Sequence, residues 1–135
     1  MPNNNVYLEK ISKDEDLMRL MKDNILPQLS QNITDNMPAF VNTFKEIRSL
    51  QIERQHELEK WKISQNNNLE KFKLLVNESN KRLSSQVKSI TTICNNIINL
   101  HPKTHEQIRS QELMLSALQS LQQTYLSEIQ MLINI

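Results

Sequence analysis

Residues 36–100 read NMPAFVNTFKEIRSLQIERQHELEKWKISQNNNLEKFKLLVNESNKRLSSQVKSITTICNNIINL, and after Pro38 this stretch holds neither glycine nor proline. Nothing in it compels a break, so it predicts one long central helix, about 100 Å from end to end at ~1.5 Å per residue. One soft point lies inside it. Asn67 followed by Glu70 has the spacing of a capping box, which would turn the segment into a hairpin at Asn66–Asn68.

Apolar spacing favours continuity. Leu50, Trp61, Phe72, Leu83 and Cys94 follow one another at intervals of eleven residues, as do Ile47, Leu58, Leu69 and Val76, Val87, Ile98. Counting by sevens from Trp61 meets Asn68, Leu75, Arg82 and Ser89, so the heptad fails where the hendecad holds. Eleven residues are nearly three whole turns, which keeps such a stripe almost parallel to the helix axis.

Outward from this segment, His101 and Pro102 close the helix, and Thr104 with Gln107 has the capping-box pattern for a last helix over about 104–134. Its apolar set runs from Ile108 through Leu115, Leu118, Leu121, Tyr125 and Leu132, too wide for a single seam. On the other side, residues 1–11 read as a polar lead-in, and Ser12 with Glu15 predicts a first helix over about 13–26, ended or kinked by Pro27. Asp35 or Asn36 is the expected cap of the long helix, with Pro38 in its first turn. The expected fold is all-α: one helical domain over 12–135, an elongated hairpin or bundle with a long central helix bearing a hendecad-type stripe and a C-terminal helix folding back antiparallel.

Composition agrees. Glycine is absent from the whole chain, which disfavours tight hairpin turns and glycine-rich nucleotide loops together. Sixteen basic residues against fifteen acidic give a net charge of +1, so no global field draws the chain to nucleic acid or an anionic membrane. No apolar run has the eighteen or so residues of a membrane span. The single cysteine, Cys94, excludes an internal disulfide and fits a reducing, cytoplasmic setting.

No catalytic signature emerges. His101 and His105 are four apart but flank Pro102, His56 sits in a charged run, and Cys94 belongs to an apolar series, so neither a metal centre, a cofactor nor a small-molecule substrate is expected. Length suggests another role. A C-terminal helix of this size reaches back only to about residue 70. Phe40, Phe44, Ile47, Leu50, Leu58, Trp61, Leu69 and Phe72 would then form an uncovered stripe, with Trp61 as core residue or interface anchor. These observations imply a non-enzymatic assembly or scaffold protein, working by homo-oligomerisation or as a subunit of a larger coiled-coil complex. The alternative is a small regulatory or inhibitory binder that sequesters one protein target, as immunity proteins, antitoxins and secretion chaperones do.

Overall fold

The computed structural model describes residues 4–64 and 69–133; within these, the side chains of residues 4–8, 61–64, 69, 71–72 and 133 fall outside the description. The described residues are helical apart from their turns: α1 (Asn4–Leu20), one turn of π-helix (Met21–Ile25), α2 (Leu26–Leu29), α3 (Ile33–Ser64), α4 (Leu69–Ile98) and α5 (His105–Ile133). They form an all-α bundle.

The N-terminal helix begins at Asn4, not near residue 13, so most of the expected lead-in is helical and the Ser12–Glu15 pair lies within α1. Pro27 does not end the helical path. Lacking an N–H, proline cannot continue the ordinary i to i−4 ladder, and the chain shifts register just before it: the Leu26 N–H donates to the Met21 carbonyl, five residues back. The path stops at Ser30, and Asn32 caps α3. Its Oδ1 accepts from the N–H groups of Thr34 (3.0 Å) and Asp35 (3.2 Å), while Asn36 Nδ2 donates to the Gln28 carbonyl at 2.9 Å and ties the turn together. Pro38 therefore sits inside α3 rather than in its first turn, and forgoes one backbone hydrogen bond there.

The helix expected over 36–100 is two helices. Residue pairing fixes their directions. Gln111 reaches the Ile97 carbonyl (2.8 Å) and Gln122 reaches Thr91 (2.8 Å), so α5 runs antiparallel to α4. Met37 and Val41 lie beside Leu113 and Ala117, and Arg54 beside Glu128, so α5 runs parallel to α3. α4 is thus antiparallel to α3, as in the hairpin alternative. Asn66–Asn68 itself lies outside the described residues. α1 lies antiparallel to α3, since Lys10 near its start pairs with Glu53 while the Gln28 carbonyl beyond its end accepts from Asn36; Asp14–Arg54 joins the same two helices, and Glu15–Arg82 joins α1 to α4. Around the bundle the order is α1, α3, α5, α4, with α3 and α4 facing each other across the core.

Burial follows alternating steps of three and four. On α3 the run is Phe40, Phe44, Ile47, Gln51, Arg54, Leu58, with Ile33 and Thr43 buried beside it; on α4 it is Val76, Ser79, Leu83, Gln86, Ile90, Ile93, Ile97; on α5 it is Met114, Leu118, Leu121, Tyr125, Glu128, Leu132, with Ser110 buried one turn before. This is heptad spacing. Of the eleven-residue series, Ile47, Leu58, Val76 and Leu83 are buried, Leu50, Val87 and Cys94 are half-buried, and Ile98 is exposed. With two antiparallel helices in place of one, no stripe has to keep phase through residues 65–68.

The α4–α5 turn explains how the chain manages without glycine. His101 takes the left-handed conformation (φ 42°) that glycine usually supplies after a helix, and Pro102 follows. Gln111 Nε2 donates to the terminal carbonyls of Ile97 and Ile98. The Thr104–Gln107 cap forms as the sequence predicts: the Gln107 N–H donates to Thr104 Oγ1 (3.1 Å), and Gln107 Oε1 accepts from the Lys103 N–H (2.8 Å).

Candidate functional site

Two features of the bundle exceed simple packing: a charged cluster inside it and an open groove on its outside.

The cluster joins three helices. Arg54 of α3 donates from Nε and Nη2 to the two oxygens of Glu128 on α5, at 3.1 and 2.8 Å, and from Nη1 to Asp14 of α1 at 2.5 Å. Tyr125, one turn before Glu128, donates its hydroxyl to the other Asp14 oxygen, and its ring centroid lies 5.8 Å from the guanidinium carbon. Gln51 Nε2 adds a hydrogen bond to Glu128 at 3.2 Å. Asp14, Gln51, Glu128 and Tyr125 are 0% exposed and Arg54 is 2% exposed, so the set is shielded from bulk solvent.

Two carboxylates share one guanidinium here. Removal from water raises the Asp14 carboxyl, and the nearby Glu128 charge adds to this; attraction to Arg54 only partly offsets them, leaving Asp14 at about 6 against an ordinary 3.8. Burial works against the Arg54 charge as well, but the facing Glu128 and Asp14 hold that guanidinium above its usual range. Burial and the facing Asp14 push the Tyr125 hydroxyl well up. The adjoining cavity, between Ile11, Arg54, Leu83 and Gln86, is about 10 Å³, space for a single water. The cluster is a latch that fixes α1 against α3 and α5.

The groove runs along the outside of the α3–α5 seam and has a volume of about 460 Å³. Val41, Phe44, Ala117 and Leu121 line it, and Ser116 and Ser120 keep its α5 wall low. Leu113 is 51% exposed at its edge. Lys45 and Arg48 are the charged groups lining it, and among the described residues neither has an ionic partner. A second groove, about 440 Å³, lies between α1 and α4 and is lined by charges of both signs, among them Glu15, Asp23, Lys22 and Arg82.

The expected association stripe is placed differently. Phe40, Phe44, Ile47 and Leu58 are 0–2% exposed and close the chain's own core, and Leu50 is half-buried. The side chains of Trp61, Leu69 and Phe72 lie outside the described residues. For the four sealed positions the length mismatch disappears, because α5 covers α4 and α3 at once. His56, His101 and His105 are exposed, and among the described residues no three metal-binding side chains come together. Cys94 is half-buried, which raises its thiol above the ordinary value. No helix among the described residues is long and apolar enough to cross a membrane.

Sequence inspection missed Asp14, Gln51, Arg54 and Glu128. Seven-residue counting would have found two of them from Phe40 and Phe44 and a third from Met114: Phe40, Ile47, Arg54 and Phe44, Gln51, Leu58 are the two heptad series of α3, and Met114, Leu121, Glu128 is one of α5. Compared with known proteins, the chain matches no family model, no curated protein and no solved structure. The fold and site define a single-chain helical bundle locked by a buried ionic cluster.

Proposed function

We propose that the chain is a non-enzymatic helical assembly protein that acts as a subunit of a larger coiled-coil complex. The observation that carries this reading is the α3–α5 groove, a largely apolar seam whose two cations, Lys45 and Arg48, have no ionic partner among the described residues. Its ~460 Å³ is the scale of a recognition pocket. The charged cluster supports a structural role for the interior. Removing one member of such a buried set is costly and an apolar replacement is often neutral or better, so its natural use is to fix helix register rather than to add stability. Cys94, a half-buried free thiol, fits a reducing intracellular setting.

The alternative, a small regulatory or inhibitory binder of one target, draws on the same groove and differs in stoichiometry. Sedimentation of the protein as it exists with its natural partners separates the two. The assembly reading expects a particle containing several other chains, and the inhibitory reading expects a one-to-one complex. A free 15.9 kDa monomer at native concentration would contradict both.

A further inference from the structure

The α3 wall of the groove, from Met37 to Arg48, is about 16 Å long at ~1.5 Å per residue, the length of three helical turns. A partner helix laid there would present side chains at i, i+4 and i+7, the usual reading frame of a helix in a groove. On α3 the lining is mainly apolar from Met37 to Phe44 and then passes to Lys45 and Arg48, and Ile52, 40% exposed, extends the same flank one turn beyond Arg48.

Charge decides what kind of helix fits. Lys45 and Arg48 stand on the α3 side, and Arg109, exposed one turn before Leu113, adds a third cation on the corresponding flank of α5. No acidic side chain lines the groove. Of the nearby acids of α3, Glu46 is exposed beside Lys45 but does not line the groove, and Glu53 pairs with Lys10 of α1 at 2.7 Å. A second copy of this chain is a poor occupant, because the same surface on that copy lines its groove with no Asp or Glu to meet Lys45 and Arg48.

We infer that the α3–α5 groove docks an amphipathic helix of a different protein, with an apolar face of about three turns flanked by Asp or Glu that meet Lys45 and Arg48. This rests on the assembly reading above and names the partner's chemistry at that site. Ala117, half-buried on the groove's α5 side, sets the depth available to the incoming side chains.

The test uses the full chain and a set of helix-stapled peptides with leucines at i, i+4 and i+7, flanked either by glutamates or by lysines, titrated by fluorescence anisotropy. Glutamate-flanked members should bind at least about tenfold more tightly than their lysine counterparts, the preference should fall as salt is raised, and Lys45→Glu with Arg48→Glu should reverse it. Ala117→Trp should abolish binding of both. Lys81→Glu with Lys88→Glu, an equal charge change on exposed α4 positions, should leave it intact.

Several results would overturn the inference: no binding by any glutamate-flanked peptide at millimolar concentration, equal binding of the two signs, or self-association of the free chain abolished by Ala117→Trp. So would binding of dodecanoate alone, which would make the groove an acyl-chain site. The two levels fail separately. A multi-chain native particle left intact by Ala117→Trp and by Lys45→Glu with Arg48→Glu removes this inference and keeps the assembly reading, whereas a native monomer removes the assembly reading itself.

Discussion

Lowering the pH from about 7.5 to about 4.5 should stabilise the fold through Asp14, and Asp14→Asn should remove that gain. Burial and the facing Glu128 lift the Asp14 carboxyl from 3.8 to about 6, so the folded chain binds this proton more tightly than the unfolded one. The contribution is complete below 3.8 and is lost as pH rises through about 6. At about 1.4 kcal/mol per tenfold difference in proton affinity, the full displacement corresponds to about 3 kcal/mol, of which about 2 kcal/mol is gained between about pH 7.5 and about pH 4.5. Glu53 acts in the opposite sense. The exposed Lys10 pair holds it below its ordinary value, which adds stability at higher pH that is lost on acidification. That effect is common to both proteins and cancels in their difference. Urea unfolding of wild type and Asp14→Asn at a series of pH values reads the comparison directly. The Asn side chain can still accept from Tyr125, so the variant removes the titration while keeping an acceptor in place. Parallel stability profiles for the two proteins would refute the assignment of a strained, shared carboxylate.

Arg54→Met should cost about 3–5 kcal/mol, because two buried carboxylates lose their only cation. Adding Asp14→Asn and Glu128→Gln should recover part of the loss; an equal loss in the triple variant would show that packing, not charge, is at stake. Leu118→Ala, at a fully buried position of α5, should lower stability by about 2–5 kcal/mol in the same unfolding assay. Cys94, half-buried with a raised thiol, should react with a disulfide reagent at neutral pH at least about tenfold more slowly in the folded chain than in urea.

The helical class was legible from the lack of glycine and the density of Leu, Ile, Glu, Lys and Gln, and the α4–α5 turn from His101, Pro102 and the Thr104–Gln107 cap. What escaped the sequence had physical reasons. Pro27 read as an end or a kink of the first helix because a propensity argument does not foresee a one-residue register shift that carries the helical path past it. Asn32 was passed over as connector, although its side chain caps α3. The heptad of α3 was hidden by its own polar members, since Gln51 and Arg54 read as solvent-facing until Glu128 and Asp14, distant in sequence, are brought to them. The groove could not be read at all. Lys45 and Arg48 look like any charged helix face until the α5 wall of Ser116, Ala117 and Ser120 stands opposite and leaves space between.

Small-angle scattering of the free chain tests most directly whether the bundle closes on itself and leaves this groove as its open seam. α3 has 32 residues, so a bundle in which α4 reverses along it should measure about 50–60 Å in its longest dimension at ~1.5 Å per residue. A longest dimension near ~100 Å, that of an unbroken helix over 36–100, would contradict the account.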